Sequence, residues 1–339
     1  MMVIRPIRAN DYPALYQMAV ESGHGFTSLP VNEELLMRKI SRSEASFAKA
    51  TNTPGDEGYL FVLEDSSTGQ VCGTSALEAA VGLDDAFYHY HLGKVVHSSR
   101  SLGVYKTVDI LTLCNDYTGV SELCTLFLRP PFRQKHNGRL LSKMRFLFLA
   151  EFAERFSDRI IAELRGVSDT QGNSPFWQWL QEHFFSVDFP TADYLTGIGQ
   201  KEFIAELMPK YPIYVSLLSK AAQQVIGKVH EQTRPALALL ESEGFSCRGY
   251  VDIFDAGPTV EARTSHIRTI RDSRRLKVQI GQISVGAEPY IISNTSLSDF
   301  RASWAELMPV ANSEQITLTA ALANTLQVST GDWVRISKI

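Results

Sequence analysis

Ser121-Glu122-Leu123-Cys124-Thr125-Leu126-Phe127-Leu128, then Arg129-Pro130-Pro131-Phe132-Arg133-Gln134-Lys135-His136, then Asn137-Gly138-Arg139-Leu140-Leu141-Ser142-Lys143, reads as strand, tight turn and helix. The apolar run through Leu128 suits a central strand, and the Arg-Pro-Pro step ends it because proline has no N–H for a sheet. From Asn137 to about Phe156 the side chains of Leu140, Leu141, Met144, Leu147, Phe148 and Phe152 recur at helical spacing and form a broad apolar face. A helix start carries unpaired N–H groups and the positive end of its dipole, so it attracts phosphate. Gly138 allows close backbone approach, while Arg133, Lys135, Arg139 and Lys143 add positive charge. Arg133, Asn137, Gly138 and Arg139 are therefore candidate ligands for the pyrophosphate of a nucleotide-like cofactor. The competing reading is a solvated basic turn ahead of a core helix.

Working toward the amino end, Val3-Ile4-Arg5-Pro6-Ile7 predicts a short strand, followed by a helix capped at Asn10 and stopped by Gly23. A second helix begins near Asn32, with Leu36 and Ile40 on one face. The stretches 59–65 and 71–77 read as a hairpin around Ser66-Ser67-Thr68-Gly69-Gln70. Residues 81–119, rich in Tyr, His and Gly, suggest irregular strands. Toward the carboxyl end, Ile160–Leu164 is a strand and Ser174 starts a short helix. An aromatic strand is expected through Phe184, Phe185 and Phe189, then helix from about 200 to Lys220 and again from Pro235 to Glu243, closed by Gly244. Tyr250–Phe254 reads as a strand. Beyond about 264 short strands and turns dominate, with Thr330-Gly331-Asp332 turning between two β-branched runs.

Composition narrows the class. With 339 residues, 44% hydrophobic and 21% charged, the chain has globular composition and material for more than one structural unit. Its net charge of −4 lacks the basic excess of a nucleic-acid binder. No leader-like apolar run opens it and no stretch nears the ~20 apolar residues of a membrane span, so a cytoplasmic protein is expected. Cys72, Cys114, Cys124 and Cys247 form no CxxC pair and read as thiols without a metal. His89, His91 and His97 lack acidic or cysteine partners at ligand spacing, so no metal site is expected there either.

The strand, Arg-x-x-x-x-Gly turn and helix resemble the pyrophosphate loop of the GNAT acyltransferase superfamily, usually Q/R-x-x-G-x-G/A. Arg133 and Gly138 fit its ends, and His136 stands where the first glycine is expected. Wider stretches resemble the arginine N-succinyltransferase family: 121–128, Ala162-Glu163-Leu164-Arg165-Gly166, Ser174-Pro175-Phe176-Trp177-Gln178, 203–209 and Asp252-Ile253-Phe254-Asp255. Met2-Val3-Ile4-Arg5-Pro6 and Phe61–Asp65 match as well. The resemblance runs from residue 1 to roughly 265 and weakly beyond. It implies transfer of succinyl from succinyl-CoA to the α-amine of arginine, in arginine breakdown, by direct attack without an acyl-enzyme. It also implies a succinyl-CoA contact at Leu126 and a proton donor at His230; imidazole exchanges protons near neutrality.

Such a substrate needs carboxylates for its guanidinium and donors for its own carboxylate and that of the succinyl group. Candidate acids are Glu122, Glu163, Asp252 and Asp255; a candidate donor is Arg165; the loop Gly23–Leu29 is a candidate wall. The expected architecture is mixed α/β, a GNAT-like domain over 1–262 with insertions and a small β-rich unit over 263–339. Partners are small molecules, with succinyl-CoA as co-substrate and no permanently bound cofactor; a homo-oligomer is allowed, nucleic acid and membrane are not. Two alternatives stay open: a related N-acyltransferase acting on ornithine or another amino acid, and a non-catalytic acyl-CoA-binding module.

Overall fold

Period-two alternation organises the centre of the molecule. The structure is a computed structural model and describes residues 1–23, 28–169, 171–197, 199, 202–282 and 286–339. Its first half contains β1 (Met2–Pro6), α1 (Tyr12–Ser22), α2 (Glu33–Ala48), β2 (Gly58–Asp65), β3 (Gln70–Glu78), β4 (His89–Ser99), β5 (Val104–Cys114), β6 (Ser121–Leu128), α3 (Asn137–Glu151) and β7 (Arg159–Glu163). Then come α4 (Pro175–Phe184), α5 (Phe189–Gly197), α6 (Glu202–Leu207), β8 (Ile213–Tyr214), α7 (Lys220–Val225), α8 (Arg234–Glu243), β9 (Ser246–Val251) and β10 (Pro258–Arg263). The chain closes with α9 (Arg268–Asp272), β11 (Arg274–Ile280), β12 (Glu288–Asn294), β13 (Ala302–Leu307), β14 (Gln315–Leu318), α10 (Ala320–Leu326) and β15 (Trp333–Lys338).

All the described strands join one mixed sheet, in the order β14-β11-β15-β12-β13-β1-β2-β3-β6-β7-β10-β9-β4-β5-β8. On β2, Tyr59, Phe61 and Leu63 turn to a core under α3, with Leu140, Leu141, Met144, Leu147 and Phe148. Leu60 and Val62 turn the opposite way, to Leu15 and Met18 of α1 and Leu36 and Ile40 of α2. The α3 side is rich in aromatics: Phe148 lies edge-on to Phe61 at 5.1 Å and to Phe300 at 5.0 Å. A second core, holding Trp177, Phe176, Phe185 and Phe254, lies under α4 and α7. The carboxy-terminal strands continue the sheet, β13 pairing with β1 at Val3↔Ser303 and Ile4↔Ala302.

Several expectations hold locally. Asn32 caps α2 by accepting from Leu35 N at 3.1 Å, Ser174 caps α4 by accepting from Trp177 N, and Gly244, at φ 105°, ends α8. Others do not. Asn10 sits inside a short turn before α1, and Asp11 takes the cap position while its carboxylate binds Arg5. Residues 89–114 form a long regular hairpin, with much of both strands exposed, so the apolar alternation that marks a strand is missing. The aromatic strand does not exist: Phe184 ends α4 and Phe189 starts α5. Helix over 200–220 breaks into α6, the short β8 and a turn. β9 stops at Val251, where Asp252 starts a turn, and the first β-branched run before Gly331 begins inside α10.

Candidate active site

β6 and β7 run parallel but pair only at Ser121↔Ile160 and Glu122↔Ile161. On its other edge β6 stays paired to β3 as far as Leu128. Beyond Glu122 the two strands therefore diverge, leaving one edge of β6 facing open space. Midway, Thr125 adopts φ 54°, and the register with β3 shifts between Thr74 and Ala76. A β-bulge of this kind, with a non-glycine residue in the left-handed region, re-aims a strand beside a site. The fork widens into a cleft of about 930 Å³ walled by β6, the first turns of α3, the end of β7, α8 and the Asp252–Asp255 turn. Leu126 belongs to the cleft wall and also packs on the main core.

At the outer end lies the basic turn. The backbone bends at Lys135, φ 50°, while His136, at φ −99°, has a conformation open to any residue, so no glycine is needed there. The His136 ring rests edge-on against Trp304 of β13 at 4.9 Å. Among the described residues, no hydrogen-bond partner takes the Gly138 and Arg139 amides, and a Cβ on Gly138 would meet nothing within 4 Å. Gly138, Arg139, Arg133 and Lys135 all line the cleft.

Three basic or polar side chains take other duties. Asn137 is buried outside the wall, its Nδ2 donating to Phe132 O at 3.0 Å, so it braces the turn. Arg133 folds back, Nε donating to Leu128 O at 2.8 Å. Lys143 faces the interior, donating to Lys338 O at 2.9 Å and pairing with Glu243 at 3.4 Å; it is not part of the basic rim.

The inner end is acidic. Glu122, Glu163, Asp252 and Asp255 all reach the wall, as does Arg165. Asp255 is committed to the backbone, Oδ2 accepting from Gly166 N at 2.6 Å and Oδ1 from Gly257 N at 2.8 Å. Asp252 Oδ1 accepts from Phe254 N at 2.7 Å and Asp255 N at 2.9 Å. Burial first, then the charges of Asp255 and Glu163, push the Asp252 carboxyl well above its ordinary range. Glu163 Oε1 lies 2.8 Å from Nε2 of the fully buried His89, off the line of a well-directed hydrogen bond. Arg165 donates from Nη2 to Ser168 Oγ at 3.0 Å. Of the Gly23–Leu29 loop, Ser28 reaches the wall; residues 24–27 lie outside the described residues.

His230 is not one of the residues that line the cleft; it sits between the Gly166–Val229 pairing and the cleft-lining Gln232. Its N–H donates to Arg165 O at 2.9 Å, and its Nδ1 accepts from Gln232 N at 3.2 Å. A backbone N–H can only donate, so the neutral ring carries its hydrogen on Nε2. Burial, then the Arg165 charge, hold its pKa below the ordinary value, with Glu231 opposing. Burial likewise holds the Cys124 thiol far above its usual range, which suits a neutral wall residue and not a nucleophile.

Sequence reading missed Arg145, which is buried and lines the cleft. Ser142 and Arg145, polar and three apart inside the apolar face of α3, were the available signal.

A family model described as the arginine N-succinyltransferase beta subunit matches residues 2–269, and one described as its C-terminal domain matches 274–338. This chain belongs to the arginine N-succinyltransferase family. It is an acyltransferase by that membership. Within the family, proteins named arginine N-succinyltransferase from Escherichia coli O139:H28 and Shigella flexneri are each 50% identical over 340 residues, spanning 100% of this chain and 98% of theirs. A solved structure titled as arginine/ornithine succinyltransferase subunit AI from Pseudomonas aeruginosa superposes with a TM-score of 0.92 at 40% identity, covering 100% of this chain and 98% of that one. Among the described residues no helix is long and apolar enough to cross a membrane.

Proposed function

We propose that this chain transfers succinyl from succinyl-CoA to the α-amine of L-arginine by direct attack, as a cytoplasmic step of arginine breakdown. The observation that carries the reading is the fork between β6 and β7, which joins free helix-start amides at one end to an acidic cluster at the other. The amides of Gly138 and Arg139, with the charge of Arg139, meet the pyrophosphate; Arg133, tied to Leu128 O, contributes its charge from the cleft wall, and Asn137 holds the turn in shape. The unpaired edge of β6 at Leu126 runs beside the thioester. Glu163 and Asp252, with Glu122, face the cationic acceptor, whose guanidinium suits a carboxylate pair.

Direct attack needs the amine to lose a proton and the leaving sulfur to be stabilised. His230 is the donor we assign to that sulfur: in its imidazolium form, with Nδ1 released from Gln232 N, the ring gives a proton to the leaving thiolate, and the proton lost by the amine restores the balance. Succinyl-CoA is consumed as co-substrate and no cofactor is retained. Residues 1–262 carry the catalytic domain and 263–339 a β-rich brace behind the phosphate turn.

The test is release of free thiol from succinyl-CoA across a panel of amino acids. Arginine should lead, and norleucine, which leaves the carboxylates unpaired, should be strongly rejected. Equal kcat/KM for arginine and norleucine would remove the carboxylate pocket. A lead for ornithine would move the acceptor, and binding without thiol release would leave a binding module.

A further inference from the structure

One guanidinium in the cleft wall lacks the anion that its burial calls for. Arg145 lies on the α3 face that also carries Gly138 and Ser142, at i, i+4 and i+7, and it is 2% exposed. Removing such an ion from water is costly, and folded proteins usually offset that cost with an opposite charge. Arg5, nearly as hidden, pairs with Asp11 and Glu64, and Lys143 on the same helix pairs with Glu243. Arg145 has no carboxylate partner among the described residues. Its Nε donates to Ser142 O at 3.0 Å and its Nη2 to Ser142 Oγ at 3.0 Å, both on its own helix. The neighbouring ionisable group is the Cys124 thiol, which stays neutral. Burial pulls the Arg145 pKa down to about 10, still charged at neutrality.

Position narrows the missing anion. At the helical rise, seven residues place Arg145 about 10 Å further along α3 than Gly138, away from the phosphate rim. Cys124, its neighbour, lies on the far side of the Thr125 bulge from Leu126, so the guanidinium faces the part of the cleft beyond the thioester.

We propose that Arg145 recognises the acyl group, its guanidinium pairing with the terminal carboxylate of a dicarboxylic acyl chain and so selecting succinyl over neutral acyl thioesters. The inference rests on the proposed function for its donor. The acceptor's α-carboxylate has the same chemistry; the acyl carboxylate is favoured because α3 is the helix whose start holds the CoA.

Succinyl-CoA and butyryl-CoA differ at the chain end by carboxylate against methyl. Each, with CoA itself, is titrated calorimetrically into wild type, Arg145→Met and Ser142→Ala, then turned over with arginine and with agmatine, which lacks the α-carboxylate. Wild type should favour succinyl-CoA on the order of 10²–10³-fold. Arg145→Met should abolish that preference while keeping butyryl-CoA and CoA affinity. Ser142→Ala, which removes one of the two contacts aiming the guanidinium, should reduce it partway. Arg145→Met removes a buried charge without orphaning a carboxylate, so it should fold. If it does not, the wild-type preference and Ser142→Ala still decide.

A wild type indifferent to the two thioesters overturns the proposal, as does an Arg145→Met enzyme with wild-type preference. An equal loss of affinity for CoA itself also overturns it, since the guanidinium would then serve the CoA arm. So does a loss seen with arginine but not agmatine, which would assign the carboxylate to the acceptor. Failure of the proposed function looks different: wild type discriminates between the thioesters yet gives no turnover with arginine.

Discussion

β6 and β7 leave the sheet side by side, and their two exits use glycine for opposite reasons. After β6, a Cβ on Gly138 would meet no atom within 4 Å, and the adjoining amides are unclaimed. After β7, a Cβ on Gly166 would lie 2.5 Å from Asp255 Oδ1, and one on Gly257 would lie 2.2 Å from Leu164 O. Asp255 takes both of those glycine amides, and Asp252 takes the next two in its own turn. The first exit keeps space and donors for something that arrives. The second has spent its donors to become a fixed jaw, on which Arg165 and His230 are hung. A site that must both grip a mobile cofactor and hold charged groups at constant positions needs one rim of each kind.

The largest effect should come from the fixed jaw. His230→Ala is expected to lower kcat by about 10²–10⁴-fold, the usual worth of a positioned proton-transfer group, with acyl-CoA affinity nearly unchanged. A folded variant within a few-fold of wild type would take the chemistry away from this residue. The jaw's rigidity is tested by Asp255→Ala, which strips the partners from two buried amides. Each should cost about 1–3 kcal/mol, read as a lower urea midpoint at constant slope. A change below about 0.5 kcal/mol would show that the turn does not depend on its carboxylate.

Gly138→Val probes the open rim. It should fold normally, since its side chain enters empty space, but raise KM for the acyl-CoA about tenfold by keeping phosphate from the helix start. Unchanged CoA affinity by calorimetry would erase the distinction between the exits.

The smallest effect is electrostatic. Arg165→Gln removes a cation that holds His230 below its ordinary pKa of 6.5, so the ring should titrate higher by NMR. Because the folded pKa is the lower one, the stability linked to this ring is complete above about pH 6.5 and drains as pH falls through the folded value. Arg165→Gln should narrow that window, and a ring that titrates unchanged would mean that burial alone sets it.

The open rim was legible in sequence because a helix start, a glycine and flanking arginines are local signals. Which basic residues face outward was not. Lys143 and Arg133 turn to Glu243 and to Leu128 O, choices set by neighbours distant in the chain or by the path of the turn. The four acids of the inner end were named from sequence, but nothing in a one-dimensional pattern separates Asp255, whose two oxygens take the amides of Gly166 and Gly257, from Asp252, which takes amides only within its own turn. The β2–β3 hairpin was readable since both its faces are buried by different layers. β4 and β5 were not, because a ribbon that stands largely in solvent needs no apolar alternation. Phe184, Phe185 and Phe189 misled for the reverse reason: aromatics at strand-like density stand at the ends of two helices, Phe185 and Phe189 in the core with Trp177 and Phe184 exposed against Trp179.

The contact between His136 and Trp304 has a consequence for the order in which the molecule comes into being. As a ribosome emits the chain, β1 acquires its partner β2 early, but its other edge stays bare until β13 appears near the close of synthesis. An uncovered strand edge invites pairing with neighbouring chains, so the interval before residue 302 is the hazardous one. The same late arrival delivers Trp304 to the back of the basic turn, against His136. The nascent polypeptide thus seals its sticky margin and completes the packing behind its basic turn in one docking event, and a chain stalled before that event would have neither.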